Sequence, residues 1–359
     1  MTLKGHKNHY NVKLLRGYGV AIHLKDNRVI LKNGLDVLSN KSEKEEWFVT
    51  QIPYEKIVIS GRGYVSTEAI KLLSEKNINV ILTDTYGNLI SNMNHTMSSS
   101  TATTYRIGQY DTFRDPDKVL YLRKWILTEK LTSQINFLKS LEGDDLQKGI
   151  SQLEQYRKQI ENFKEYRDFL TAESRCGHIY FNNYAKLFDP KYKFESRHGG
   201  GIRLSNRYAS DVINALLNYG YTVLAGEIAK FVNGLGLDPY YGFYHKTHTS
   251  FQALVYDLIE PFRWLVEYSV YKLANHQNYE KSIKKKDYTW TREGKIVMDY
   301  DLIRRFLELL ERTFQSEKLC KFKYGLKMSN GMSMCQEITI TKITVQNLAD
   351  YCIAKRNIL

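Results

Sequence analysis

The segment Ser98-Ser99-Ser100-Thr101-Ala102-Thr103-Thr104 separates two parts of the chain whose sequence patterns differ. A low-complexity run of small polar residues is typical of a joint between structured regions. We therefore predict a linker over residues 98–104, which joins a domain at residues 1–97 to a domain at residues 105–359. A length of 359 residues suits two domains that each have a core of their own.

The part before the linker has the pattern of a β-rich domain. Short runs of β-branched and aromatic residues, separated by turn residues, lie at 20–24, 29–31, 47–49, 57–59 and 78–82. The polar residues 25–28 predict a hairpin turn between the first two runs, and residues 84–88 predict a second turn. Residues 66–73 predict a short helix that is capped by Ser66.

The part after the linker has the periodicity of helices. Apolar residues at helical spacing mark a long helix through Val119, Leu122, Trp125, Ile126, Leu127 and Leu131, and a second helix through Leu153, Tyr156, Ile160 and Phe163. The fold class that we predict is therefore α+β, with a small N-terminal β-rich domain joined to a larger, mainly α-helical domain.

The charge of the chain favours polyanionic partners such as nucleic acid. Lysine and arginine number 52 against 39 acidic residues, which gives a formal net charge of +13. A solvated lysine face or a generally basic proteome would give the same excess. The 27 tyrosines leave two alternatives as well, since their rings either stack on bases or fill cores and interfaces.

The composition also indicates a compartment. No apolar run approaches the roughly 18 residues of a membrane span, and residues 1–7 do not lead into the apolar core of a signal peptide. The four cysteines (Cys176, Cys320, Cys335 and Cys352) lack paired metal-binding spacing. We expect free thiols in a cytoplasmic protein that does not bind membranes.

Glu173 is the first candidate for chemistry, because it lies on the apolar stripe of a predicted helix. The other members of this stripe are Phe169, Cys176, Tyr180, Tyr184 and Leu187. A carboxylate there is costly unless it is paired, protonated or bound to a metal, so a metal ligand and a glutamate neutralised by a structural arginine are both open. Gly177, one turn on, would let a backbone or a ligand approach, whereas His178 points away and suits a surface.

A second group of candidates lies between residues 236 and 263. His245 follows Pro239 and Gly242, which favour a fixed loop. Two acids, Asp257 and Glu260, then share one face of a helix, where a plain solvated face is the alternative.

Three further residues bear on this group. Pro261 cannot donate to the carbonyl of Asp257, so we expect a kink beside the acids. Arg263 would pair with Glu260 or reach a phosphate. The helix is predicted to begin with a capping box at 249–252, just after His248, which suits capping or exposure better than metal binding.

Four segments in this order resemble one family. They are Gly61-Arg62-Gly63-Tyr64-Val65-Ser66-Thr67, Ala172-Glu173-Ser174-Arg175-Cys176-Gly177, the run from Asp211 to Tyr221, and residues 236–263. Together they are similar to the CRISPR-associated integrase, the metal-dependent nuclease subunit of spacer acquisition. The resemblance spans roughly residues 60 to 265.

The resemblance implies a metal site in a catalytic helical domain. Glu173, His245 and Glu260 match the family's ligands for Mg²⁺ or Mn²⁺. Asp257 matches a second acid at the edge of the site, and Arg263 matches a basic residue near the phosphate. The sequence departs from the family at Ser174, Cys176 and Gly177, where relatives often have glycine and alanine, so metal affinity is open to change.

The resemblance also implies an activity and partners. The activity is insertion of foreign DNA fragments (spacers) into a CRISPR array, by attack of a DNA 3′-hydroxyl on a phosphodiester. The expected partners are double-stranded DNA, a second copy of the chain joined through the β-domains, and the small companion subunit of CRISPR adaptation.

Several alternatives stay open on the sequence alone. Lys284-Lys285-Lys286 would either hold DNA or form a mobile surface loop. For the whole chain the alternatives are a catalytically weak DNA-binding scaffold, in which the acids are structural, and a nuclease of branched DNA repair intermediates.

Overall fold

The computed structural model describes residues 12–35, 43–93, 102–141, 143–197, 208–245, 252–278, 282–321 and 332–354. The strands are β1 Val12–Lys25, β2 Arg28–Lys32, β3 Lys44–Phe48, β4 Lys56–Val65, β5 Asn79–Thr83, β6 Leu89–Met93, β7 Tyr288–Trp290, β8 Ile296–Met298, β9 Glu317–Lys321 and β10 Met332–Gln336. The helices are α1 Thr67–Glu75, α2 Ala102–Arg114, α3 Pro116–Lys139, α4 Gln147–Gln159, α5 Tyr166–Ala185, α6 Val212–Leu235, α7 Ala253–Ile259, α8 Arg263–Ala274, α9 Tyr300–Phe314 and α10 Glu337–Cys352.

The N-terminal part is a six-stranded sheet in the order β3-β2-β1-β4-β5-β6. Strands β1, β4 and β5 run parallel to one another, and the remaining neighbours pair antiparallel. The predicted turn between β1 and β2 is a two-residue hairpin in which Asp26 and Asn27 have φ of 48° and 59°. Asparagine and aspartate tolerate this left-handed conformation better than most residues. The predicted cap of α1 is also present, since Ser66 accepts a hydrogen bond from Ala69 N.

The sheet buries both of its faces, which explains why its central strands do not alternate between polar and apolar residues. On one face Leu15, Ile57 and Val80 pack with α1 in a separate core. On the other face Val58 and Ile81 join the large core of the helical part. Strands that are covered on both faces have nearly continuous apolar sequences.

Helix α6 runs through the centre of the helical core. Its start is fixed by Asp211, which accepts a hydrogen bond from Asn214 N at 2.7 Å. It ends at Gly236, which has a φ of 81° and so takes the left-handed conformation that glycine adopts without strain. The predicted segment from Asp211 to Tyr221 therefore forms the cap and first turns of a buried helix.

The predicted linker overlaps a helix. Residues 98–101 lie outside the described part of the chain, and α2 begins at Ala102 and packs against α10 and α3. The two parts of the chain share a core across one face of the sheet. Because this packing does not mark a boundary between them, the boundary at residues 98–104 stays a prediction.

The helical part contains two small hairpins that the periodicity did not indicate, β7–β8 and β9–β10. The second predicted helix also ends earlier than expected: α4 stops at Gln159, a short 3₁₀ turn follows, and Phe163 lies beyond it. In the described residues, no helix is both long enough and apolar enough to cross a membrane.

Candidate metal centre

Three segments that are distant in sequence bring Glu173, His245 and Glu260 together. Glu173 lies in α5, His245 in the loop after α6, and Glu260 at the end of α7. One potential ligand atom from each lies within 4.8 Å of those from the other two. The structure therefore places the three predicted ligands in one cluster.

The loop that carries His245 is held by side chains from the surrounding helices. Gln109, which is fully buried in α2, accepts from Asp238 N and donates to the carbonyls of Asp238 and Tyr241. The loop is also tied by hydrogen bonds from Arg106 to Gly236 O, from Tyr110 to Asp238 Oδ2, from Arg123 to Phe243 O, and from Tyr166 to Tyr244 O. A loop fixed in this way keeps its histidine in one position.

Asp257 holds the end of the loop that carries His245. Its Oδ2 accepts from the backbone N–H groups of Phe243 and Tyr244 at 2.8 and 3.0 Å, and its Oδ1 accepts from His245 N at 2.8 Å. It is fully buried, so the solvated face that amphipathicity alone favours for the acid pair is wrong. A Cβ at Gly242 would lie 2.6 Å from Asp257 Oδ2, so only glycine lets the loop come this close.

The same carboxylate orients the imidazole of His245. Nδ1 of His245 lies 2.7 Å from Asp257 Oδ1, so the ring nitrogen presented to a metal is Nε2. Burial lowers the pKa of His245, but the hydrogen bond and the charge of Asp257 raise it by more, and the pKa lies above its ordinary value. Asp257 therefore positions His245 and raises its pKa.

Pro261 interrupts the helix at Glu260, as predicted. Helix α7 ends at Ile259, residues Glu260–Phe262 form a 3₁₀ turn, and α8 begins at Arg263. The interruption lets Glu260 enter the core, where its side chain is only 5% exposed. Of the predicted capping box at its start, residues 249–251 and also His248 lie outside the described residues; α7 itself begins at Ala253 after Gln252.

Arg263 pairs with Glu260 and also contacts a tyrosine that donates to a second buried carboxylate, Glu267. Its Nη1 donates to Glu260 Oε1 at 2.9 Å, and its guanidinium lies 4.1 Å from the ring centre of Tyr221. Tyr221 in turn donates to Glu267 at 2.7 Å. Burial raises the pKa of Glu260, but Arg263 and Lys130 lower it by more, to about 2. Glu260 is thus held as an anion.

Lys130 is a member of the cluster that the sequence did not reveal. Its ammonium lies 2.5 Å from Glu173 Oε1 and 2.6 Å from Glu260 Oε2. Tyr244 donates to the other oxygen of Glu173 at 3.0 Å. The partner that neutralises Glu173 is therefore a lysine and not the arginine that we considered.

Two smaller predictions concern neighbours of Glu173. His178 is exposed, as expected. Apart from the adjoining residues of α5 itself, no heavy atom of the described residues lies within 4 Å of a Cβ placed on Gly177, so no other described backbone approaches there. Farther from the cluster, Lys285 and Lys286 are exposed in a short 3₁₀ turn before β7.

The residues present suit a divalent cation. Two carboxylates and one imidazole are a ligand set that Mg²⁺ and especially Mn²⁺ accept. Glu260 Oε2 is buried, and its contact is the Lys130 ammonium at 2.6 Å. A buried carboxylate oxygen needs a cation, and a divalent metal can supply that charge in place of the lysine.

Comparison with known proteins identifies the family. The family model described as CRISPR associated protein Cas1 matches residues 14–312. The chain belongs to the Cas1 family. The resemblance found in the four sequence segments is thereby confirmed, and so is the α+β fold class, since β1–β6 form the N-terminal sheet and the remainder is mainly helical.

A curated relative agrees with this assignment, and solved structures share the fold. The chain is 29% identical over 249 residues to the CRISPR-associated endonuclease Cas1 1 of Archaeoglobus fulgidus, covering 65% of this chain and 71% of the relative. A solved casposase bound to its integration product has the same fold, with a TM-score of 0.81, 24% identity and coverage of 96% and 91%. A chain of a Cas6-RT-Cas1–Cas2 complex aligns with a TM-score of 0.71 at 18% identity, covering 96% of this chain and 35% of that one.

Proposed function

We propose that this Cas1-family chain is a divalent-metal-dependent DNA endonuclease and integrase that inserts spacers into a CRISPR array. The observation that carries the proposal is the convergence of Glu173, His245 and Glu260 from three separate segments. Its relative from Archaeoglobus fulgidus is named an endonuclease, which supports the same class of reaction.

In this proposal the protein's residues hold the ion and align the DNA. Glu173 and Glu260 supply carboxylate oxygens, and His245 supplies Nε2 in the orientation set by Asp257. A bound Mg²⁺ or Mn²⁺ would polarise the phosphodiester and stabilise the charge on the attacking and leaving oxygens. The 3′-oxygen of the incoming strand forms the new bond to phosphorus, the 3′-oxygen of the target strand leaves, and water in place of the 3′-hydroxyl gives cleavage.

The partners that we propose follow from charge and surface. A net charge of +13 suits double-stranded DNA, both spacer precursor and CRISPR repeat, and the exposed Lys285 and Lys286 are candidate phosphate contacts. The β-domain exposes Tyr18 (73%), Tyr64 (59%) and Leu35 (52%), which suits a homodimer through this domain. A single-chain mass by light scattering would contradict the dimer.

A third proposed partner is the small companion subunit of CRISPR adaptation. The neighbour in the Cas6-RT-Cas1–Cas2 complex supports an assembly of this kind. Pull-down of the purified companion tests it directly, and failure to bind at micromolar concentrations would count against it.

Substitution of the ligands tests the proposed function. We expect His245→Ala and Glu260→Ala to abolish strand transfer in Mn²⁺ while DNA affinity changes little. The loss of strand-transfer activity should exceed the roughly 10- to 100-fold that is lost when a residue hydrogen-bonded to a metal ligand is removed. His178→Ala, an exposed histidine in the same helix as Glu173, is the matched control and should retain activity. Full strand transfer by either ligand variant would refute the metal site.

One observation favours a second candidate, a DNA-binding scaffold in which the acids are structural. Lys130 contacts both Glu173 and Glu260, so both carboxylates already have a cationic partner from the protein. The scaffold predicts that the wild-type chain binds DNA but joins no ends, even with Mn²⁺ and the companion subunit present.

A further inference from the structure

Lys130 reaches the centre of the ligand cluster from a different helix. It extends from α3, and its side chain is only 12% exposed. Its ammonium contacts one oxygen of Glu173 and one oxygen of Glu260, at 2.5 and 2.6 Å. These two oxygens belong to the carboxylates that the proposed function gives to the metal, so a metal and the ammonium compete for the same atoms.

Two cations of the protein offset the two candidate ligand carboxylates without a metal. Glu173 and Glu260 carry two negative charges, and Lys130 and Arg263 carry two positive charges. Buried carboxylates that lie close together repel each other and need such cations. A divalent ion binds less favourably to carboxylates that are already paired with cations than to unpaired ones, unless one of the protein's cations moves away.

Lys130 is better suited to give way than Arg263. The Arg263 guanidinium is held between Glu260 at 2.9 Å and the ring of Tyr221 at 4.1 Å. A lysine carries a point charge on a flexible stem, and its ammonium moves with a change of rotamer. The contacts of Lys130 with Glu173 Oε1 and Glu260 Oε2 are ion pairs with single oxygens, so a metal that binds these oxygens can take the place of the ammonium.

We propose that Lys130 is a resident counter-cation, which keeps Glu173 and Glu260 in position until a divalent cation binds and displaces its ammonium. The inference rests on the proposed function, because it takes the same ligands. Lys130 is here a positioning residue that sets metal affinity and the stability of the metal-free protein. A merely structural lysine would affect stability but would not compete with the ion.

Lys130→Met tests the proposal through metal binding, with Mn²⁺ as the probe. Methionine keeps much of the side-chain volume and removes the charge. We expect Mn²⁺, measured by titration with electron paramagnetic resonance, to bind Lys130→Met about tenfold more tightly than wild type, since the competing charge is gone. In EDTA the variant should unfold at a lower temperature, and Mn²⁺ should raise its Tm by more than it raises that of wild type.

Lys139→Met is the matched control. Lys139 lies in the same helix and pairs with Glu154 at 2.7 Å, but this pair is at the surface. Its loss should leave Mn²⁺ affinity unchanged, because solvent and salt screen surface charges. A gain in affinity as large as that of Lys130→Met would mean that net charge alone is the cause, and would overturn the proposal.

The remaining outcomes separate this proposal from the proposed function. Equal or weaker Mn²⁺ binding by Lys130→Met, with binding by wild type intact, overturns the counter-cation alone. No Mn²⁺ binding by wild type or variant overturns the metal site, and the counter-cation with it. If Lys130→Met does not fold, Lys130→Arg serves instead: its rigid fork should hold both carboxylates and weaken Mn²⁺ binding. Binding as tight as wild type would overturn the proposal.

Discussion

At the scale of single residues, Asp257 shows how a side chain outside the ligand set can control it. Its two oxygens accept three backbone N–H groups and face His245 Nδ1, so it fixes both the path of the loop and the orientation of the ring. Outer partners of this kind govern the affinity of metal sites. The family resemblance implied an acid at the edge of the site, and these contacts give Asp257 a positioning role as well.

Asp257→Asn should therefore weaken metal binding more than it weakens the fold. The NH₂ group of the asparagine cannot accept a hydrogen bond, and it would face at least one backbone N–H. The amide also no longer favours the tautomer of His245 that carries its proton on Nδ1 and binds a metal through Nε2. We expect Mn²⁺ affinity to fall about 10- to 100-fold and the free energy of unfolding to fall by about 1–3 kcal/mol. Titration with Mn²⁺ and urea unfolding measure the two effects.

Asp238→Asn is a suitable control for this substitution. Asp238 lies in the same loop and accepts from Tyr240 N and the Tyr110 hydroxyl, but it does not contact His245 or a ligand carboxylate. It should leave Mn²⁺ affinity near wild type. Equal losses in the two variants would show that Asp257 acts only through general stability of the loop.

The sequence predicted the residues of the cluster better than their contacts. Glu173 stood out because a carboxylate on an apolar stripe needs a partner, and His245 and Glu260 stood out as an imidazole followed by acids, whereas the metal-ligand role of all three came from the family resemblance. Lys130 did not stand out, because a lysine in a long amphipathic helix is normally solvated. Its partners lie in other helices, and only the packing of α3 against α5 and the 3₁₀ turn reveals them.

At the scale of elements, two helical glycines show how the same residue type serves opposite purposes. In α6, a Cβ on Gly220 would lie 2.3 Å from Val266 Cγ1 and 2.8 Å from Phe306 Cζ. The glycine therefore lets α8 and α9 pack closely against α6. In α5, Gly177 faces open space, so its lack of a side chain serves no contact among the described residues.

Alanine at these two positions should have opposite effects on stability. Gly220→Ala should lower the free energy of unfolding by about 1–3 kcal/mol, because the core has no room for the methyl group. Gly177→Ala should raise it by about 0.5–1 kcal/mol, since alanine favours a helix over glycine. Chemical denaturation measures both. A stabilising Gly220→Ala would show that α6, α8 and α9 separate more easily than the packing indicates.

The elements also show what a sequence pattern leaves out. The break at Pro261 was predictable, because proline lacks the N–H that a continuous helix requires. The start of α2 was not predictable, because the small polar residues at 98–104 suggest a joint. Tertiary contacts, rather than local sequence, hold this helix in place. Tyr105, for example, donates to Asp350 in α10 at 3.0 Å. Tertiary packing outweighs local propensity here.

At the scale of the whole molecule, a buried ion network ties the sheet to the helical part. Lys56 in β4 lies 2.8 Å from Glu311 in α9 and 3.4 Å from Glu227 in α6. Asn79 in β5 also donates to Glu227 at 3.0 Å. The network fixes the sheet relative to α6, whose C-terminal end leads into the loop of His245. The network therefore connects the sheet to the helix that precedes the candidate metal centre.

Lys56→Met should destabilise the whole molecule. It removes the cation that contacts both buried carboxylates, and loss of one partner of a buried ion pair costs about 3–5 kcal/mol. Urea unfolding at pH 7 measures the loss. Lys71→Met is the control, because Lys71 forms only an exposed pair with Glu75 at 3.9 Å, and we expect a change within about 0.5 kcal/mol.

The difference in the free energy of unfolding between wild type and Lys56→Met should become smaller as the pH falls. Burial raises the pKa of Glu227, but Lys56 and Lys230 lower it by more, so in wild type it lies below the ordinary value and its stabilisation is lost only as acid protonates it. Without Lys56 this lowering is smaller, so the pKa of Glu227 lies higher in the variant than in wild type, and the variant loses less stability as the pH falls. A difference in unfolding free energy that stays constant from pH 7 to pH 4 would mean that Lys56 stabilises through its contact with the Phe314 ring, 5.0 Å away, and not through the carboxylates.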